Sequence, residues 1–189
     1  MSGIVNRTGA SSGVIGHTET SSEVLLNTYK ADNSSTTIAI TGMSLAYDTY
    51  KFVVSGIIPA QDSVHIYWFL KKADGTKRSS GYRSPTRFVK FNGSTTAVDH
   101  YGCADSLFGI QSILSNAGTY NGIFYIYNPA DSGRRTHGTG LINFRGDDSY
   151  TYQCMAGGLY NGLEAHTEIS FETEGGNINH GTIRMYGVK

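Results

Sequence analysis

The stretch from Tyr47 to Leu70 constrains the fold most, because it is the longest run in which two strand patterns follow each other across a turn. Tyr50, Phe52 and Val54 fall on one side of an extended chain, with Lys51, Val53 and Ser55 on the other. Gly56, Pro59 and Gln61-Asp62-Ser63 break the run. A second alternation then sets Val64, Ile66, Trp68 and Leu70 against His65, Tyr67 and Phe69. Large side chains on both faces put this second strand inside a sheet rather than at its edge. Tyr50 to Val54 and Val64 to Leu70 are therefore expected to form the central pair of an all-β domain.

The remaining strand patterns are short and regularly spaced. They cover Val24 to Tyr29, Thr36 to Thr41, Arg87 to Phe91, Ile123 to Tyr127, Leu141 to Arg145, Tyr150 to Met155, Thr167 to Thr173 and Thr182 to Tyr186. Asp74-Gly75-Thr76 is a hairpin-turn signal. Leu107 to Leu114 is ambiguous: Leu107, Ile110, Ile113 and Leu114 have helical spacing and Asp105 could cap a helix, yet the run is short, so it reads as irregular or strand. Ten or so strands with no ordinary amphipathic helix predict a two-sheet β-sandwich over 23–189. Long connections at Gly93 to Asp105 and Asn128 to Gly140 favour a jelly roll. An immunoglobulin order is missing, because Trp68 precedes both cysteines.

Residues 1–22 read differently. Ser2-Gly3-Ile4-Val5 with Thr8 is echoed by Ser12-Gly13-Val14-Ile15 with Thr18, and the intervening Gly and Ser oppose a helix. Apolar pairs spaced by flexible polar residues cannot build a core, so this segment is expected to be an extended arm. Ile4, Val5, Val14 and Ile15 are its candidate partner-binding residues. Tyr67 and Phe69 are the other two, since one sandwich covers only one face of each sheet.

Charge steers little. Fifteen basic and fifteen acidic residues cancel, and charged residues are 16% of the chain, so bulk attraction to nucleic acid or an acidic membrane is not expected. The charges are nevertheless segregated. Lys71, Lys72, Lys77, Arg78, Arg83, Arg87 and Lys90 fall in one stretch, and Asp147, Asp148, Glu164, Glu168, Glu172 and Glu174 in another, which would suit a head-to-tail contact between copies. No apolar run resembles a signal peptide or a membrane span, so a role outside a cell would require an exit other than secretion.

Catalytic and metal signals are weak. The six histidines, His17, His65, His100, His137, His166 and His180, form no His-x-His or His-x-x-x-His pair. Asp99-His100 with Cys103 is too local for a triad. The acidic residues of the last third show no spacing that marks a glycosidase, and Asp147-Asp148 sits in a Gly-Asp-Asp-Ser turn, where Asp is favoured for local hydrogen bonding and a calcium site is the weaker alternative. Cys103 and Cys154 belong to no Cys-x-x-Cys pair; they read as two buried thiols, with a disulfide between them left open. Tyr82, Tyr101, Tyr120 and Tyr160 lie in turn-like sequence, where exposed rings could stack on sugar. No catalytic residue, cofactor or metal is assigned.

Several stretches together resemble a group of small virion proteins of tailed bacteriophages. They are the arm from Ser2-Gly3-Ile4-Val5 to Ser12-Gly13-Val14-Ile15-Gly16, Tyr47-Asp48-Thr49-Tyr50-Lys51-Phe52, Ser80-Gly81-Tyr82, and the ending Gly181-Thr182-Ile183-Arg184-Met185-Tyr186-Gly187-Val188-Lys189. The likeness spans nearly the whole chain. It implies a non-enzymatic jelly-roll-like module on the virion, as a capsid decoration or cement protein contacting the major capsid protein or other virion proteins. The alternative it implies is a head or tail fibre module recognising host glycans. Either way it implies a homo-oligomer, with a trimer favoured.

Overall fold

A computed structural model describes residues 22–92, 96–102, 108–146 and 148–189, with backbone alone for 96–102 and 108–114. The described chain is all-β. Its strands are β1 (Glu23–Lys30), β2 (Thr37–Thr41), β3 (Thr49–Pro59), β4 (Val64–Lys71), β5 (Tyr82–Arg83), β6 (Pro85–Phe91), β7 (Thr96–Gly102), β8 (Phe108–Leu114), β9 (Tyr120–Tyr127), β10 (His137–Arg145), β11 (Thr151–Tyr160), β12 (Glu168–Thr173) and β13 (Ile178–Val188). They form two antiparallel sheets. The larger runs β1-β13-β3-β9-β10-β11-β6-β7, with β5 paired to β11, and the smaller runs β2-β12-β4-β8.

The two sheets share one hydrophobic core because their strands alternate in phase. Tyr50, Phe52 and Val54 of β3, Phe124 and Ile126 of β9, and Ile183 and Met185 of β13 are buried from one side. From the other come Ile66, Trp68 and Leu70 of β4, Ile40 of β2, and Ile169 and Phe171 of β12. Trp68 sits where they meet. Its ring stacks on Phe124 at 5.3 Å and meets Phe171 edge-on at 4.9 Å and Phe52 at 6.0 Å.

The expected central pair is corrected. β3 and β4 both lie inside sheets, as their two-sided character requires, but they do not pair with each other. β3 lies between β13 and β9, and β4 between β12 and β8 in the opposite sheet. The reason lies between them. Gly56 and Ser63 both adopt positive φ, and the β3 register shifts between Val54 and Ile57, so the connection carries the chain across the core instead of reversing it within one sheet. Alternation fixes a strand's inward face and says nothing of its neighbour.

Two connections also differ from expectation. The Gly93 to Asp105 segment contains β7, paired with β6, and the Asn128 to Gly140 segment ends in β10, which begins at His137. Leu107 to Leu114 resolves as strand β8 from Phe108. Asp74-Gly75-Thr76 does turn the chain, with Gly75 at φ 80° and its amide donating to the Lys72 carbonyl, but it closes only the single bridge between Lys71 and Lys77. Cys154 is buried in the core. Cys103 lies outside the described residues, as do 1–21 with Ile4, Val5, Val14, Ile15 and His17, and Asp105, Leu107 and Asp147.

Candidate functional site

The densest group of ionisable side chains surrounds Glu164, on the segment between β11 and β12. Lys72 approaches its Oε2 at 2.9 Å and Arg78 donates to the same oxygen, both from the turn after β4. Its Oε1 faces His166 Nε2 at 3.5 Å, and His166 Nδ1 meets Thr136 Oγ1 at 3.0 Å. Tyr160 packs edge-on against the imidazole at 4.9 Å. Burial opposes the charge on Glu164, but hydrogen bonds from Tyr160, Lys72 and Arg78 outweigh it and hold the carboxyl at about 2. For His166 burial wins over the attraction of Glu164 and keeps the ring neutral, at about 4.

Hydroxyl, imidazole and carboxylate in a row have the composition of a hydrolytic triad. Access decides against that use. Thr136 and His166 are both 0% exposed, so the hydroxyl faces no space a substrate can enter. An open depression of about 410 Å³ lies beside the cluster, lined by Lys72, Asp74, Ser132, Leu163 and others, and Glu164 at its wall is already claimed by two cations. The cluster ties the turn after β4 to the segment before β12.

Part of the segregated charge is paired within one chain, which takes those residues out of the expected head-to-tail contact. Lys71 pairs with Glu168, Lys77 with Glu172 at 3.0 Å, and Lys72 and Arg78 with Glu164. The antiparallel pairing of β12 with β4, which sets Glu168 opposite Lys71, brings the two sequence blocks together. Tyr67 and Phe69 lie on the outward face of β4, in a ladder where His65 stacks on Tyr67 at 5.9 Å and Tyr67 meets Phe69 at 6.0 Å. The Lys77 ammonium stands 4.3 Å from the Phe69 ring, so the turn after β4 supplies part of the cover that a second copy was expected to give.

The turn tyrosines are also corrected. Tyr82, Tyr120 and Tyr160 are buried, Tyr82 by anchoring its hydroxyl between the Leu70 amide and the Arg78 carbonyl, each at 3.0 Å. The side chains of His100 and Tyr101 are not among those described. Asp148 accepts from the Tyr150 amide and the Tyr152 hydroxyl, and among the described residues no group of three or more His, Cys, Asp or Glu could hold a metal.

Sequence reasoning missed the outer face of the larger sheet. Strand register sets Arg184 beside Val53, Val53 beside Ile123, Ile123 beside Leu141, Leu141 beside Met155 and Met155 beside Arg87, in one row across six strands. Ile123, Leu141 and Met155 are 40%, 47% and 61% exposed. A second row places Leu25, Tyr186, Lys51 and Tyr125 side by side. The signal was present as an apolar residue in a polar phase: Leu141 follows Thr139 and precedes Asn143 and Arg145, and Met155 follows Thr151 and Gln153. With Ile142 next to Leu141, the phase was legible only once the inward set was known. No family model matches this chain, and no curated protein matches it.

Proposed function

We propose that this chain is a non-enzymatic structural protein of a bacteriophage virion, a capsid decoration or cement protein on the particle surface that contacts the major capsid protein or other virion proteins. The observation that carries this reading is the outer face of the larger sheet, with three large aliphatic side chains exposed in one line. The resemblance of the sequence to small phage virion proteins supports it, and so does the strand order. The set β1-β13-β3-β9 faces β2-β12-β4-β8, and the chain changes sheets at β1 to β2, β2 to β3, β3 to β4, β4 to β5, β7 to β8, β8 to β9, β11 to β12 and β12 to β13. This order supports reading the sandwich as a jelly roll, with β5 to β7 and β10 to β11 as insertions that widen one sheet. On this reading residues 1–22 supply partner contacts through Ile4, Val5, Val14 and Ile15, and the assembled form is a trimer.

Deleting Met1 to Thr20 tests the arm. Co-sedimentation with particles is expected to be lost while circular dichroism of the truncated protein stays that of the intact fold; undiminished co-sedimentation refutes the role of the arm. A fibre module recognising host glycans is the second reading. Three of its expected turn tyrosines, Tyr82, Tyr120 and Tyr160, are buried, but Tyr125 and Tyr127 stack at 6.4 Å, 10° from parallel, on the outer face and offer a platform for a sugar ring. Copy number separates the two: hundreds per particle fit decoration, and a few or dozens fit a fibre.

A further inference from the structure

We propose that the row from Arg184 to Arg87 across the larger sheet is the docking surface, and that its occupant is a protein surface carrying an apolar strip bracketed by carboxylates. The inference rests on the decoration reading and adds to it the face used and the chemistry of the partner. Val53, Ile123, Leu141 and Met155 occupy four adjacent strands, so at about 4.8 Å per strand the apolar part is roughly 14 Å long and the arginines stand roughly 24 Å apart. Arg184 and Arg87 bracket it at either end, and neither is in an ion pair among the described residues.

The sign of the face selects the partner. Arg184, Arg87 and Arg145 all lie on outward positions of this sheet, alternating with the buried Met185, Phe88 and Phe144. Among the described outward strand positions the one carboxylate is Glu23, and it is neutralised by Lys51 at 2.7 Å. A second copy presenting the same face by two-fold symmetry would set arginine against arginine, which opposes association. The smaller sheet shows the contrast: its outward lysines are matched by Glu168 and Glu172. Charge without an ion-pair partner among the described residues, at the ends of an exposed apolar row, is what a complementary acidic partner neutralises.

The test uses the intact protein and purified particles of the phage that encodes it, with binding measured by co-sedimentation over a salt series. Leu141→Asp and Met155→Asp replace exposed side chains, and each is expected to weaken binding at least tenfold with an unchanged thermal melt. The double variant Arg87→Glu, Arg184→Glu is expected to weaken binding tenfold or more and to flatten its salt dependence. Thr41→Asp, on the exposed edge of the smaller sheet, is expected to bind as the intact protein does. Should the intact protein bind and Leu141→Asp bind equally, this inference fails while decoration stands. Should the intact protein not bind particles at all, the decoration reading fails and takes the inference with it. Vesicles of phosphatidylglycerol and phosphatidylcholine that pellet the protein as strongly as particles do would overturn the assignment of a protein partner. Conversion of an oligomer to a monomer by Leu141→Asp would overturn it in favour of a second copy.

Discussion

Glu164 and His166 show at the scale of single residues how burial sets chemistry. Both lie in the same cluster, yet Glu164 is held ionised by three donors and His166 is held neutral by its surroundings. Tyr160 beside them is pushed up to about 12, by burial first and by Glu164 second. A stability profile in acid follows. His166 has a folded value below its ordinary 6.5, so above pH 6.5 the ring is neutral in both states and the full stability is present. As pH falls from 6.5 towards 4 the unfolded chain takes up a proton that the fold refuses, and on the order of 3 kcal/mol is lost at about 1.4 kcal/mol per unit. Glu164 acts in the same direction over a lower window, from 4.5 down to about 2. Urea midpoints measured between pH 7 and 4 are expected to fall with pH, and His166→Phe, which lacks the titrating ring, to flatten that slope. An unchanged slope in the variant would show that the ring does not carry it.

Paired irregularities in β3 and β13 do at the scale of elements what regular strands cannot. The register shifts between Val54 and Ile57 on one strand and between His180 and Thr182 on the other, where Gly181 sits at φ 130°. A Cβ at Gly181 would lie 2.7 Å from the Ile57 Cα and 2.8 Å from its amide nitrogen, so backbone would have to move. Gly181→Ala therefore combines a strained φ with a backbone clash and is expected to destabilise by about 2 kcal/mol or more. Gly157→Ala is the control. Its added methyl meets only the Gly138 carbonyl oxygen, at 3.8 Å, and it is expected to stay within about 0.5 kcal/mol. Chemical denaturation of the two variants side by side checks the pair; equal losses would refute the role given to the bulge.

The two faces of the whole molecule differ in kind. The smaller sheet carries a ladder of His65, Tyr67 and Phe69 closed over by Lys77 and flanked by ion pairs within the chain. The larger sheet carries an aliphatic row with arginine at both ends. Self-association through the first face would have to displace contacts already made, and through the second would bring like charges together. Sedimentation equilibrium at high micromolar concentration is nevertheless expected to show a trimer, held by contacts other than these two faces. A monomer under those conditions refutes the trimer.

The alternation of Tyr50, Phe52, Val54 and of Ile66, Trp68, Leu70 determined, without any structure, that this chain is all-β, which side chains are buried in those strands, and that both strands are interior. Side-chain period is a local property of an extended backbone, and hydrophobic burial acts on it directly. Neighbour choice is not local. Only the tertiary structure decided that β3 and β4 lie in different sheets, that Lys71 and Lys77 meet Glu168 and Glu172 of their own chain, and that Tyr82, Tyr120 and Tyr160 turn inward. The exposed row depends on it most. Ile123, Leu141 and Met155 become one surface because the registers of three strands coincide, and register is set by bulges and turns distributed along the chain rather than by any of the three residues.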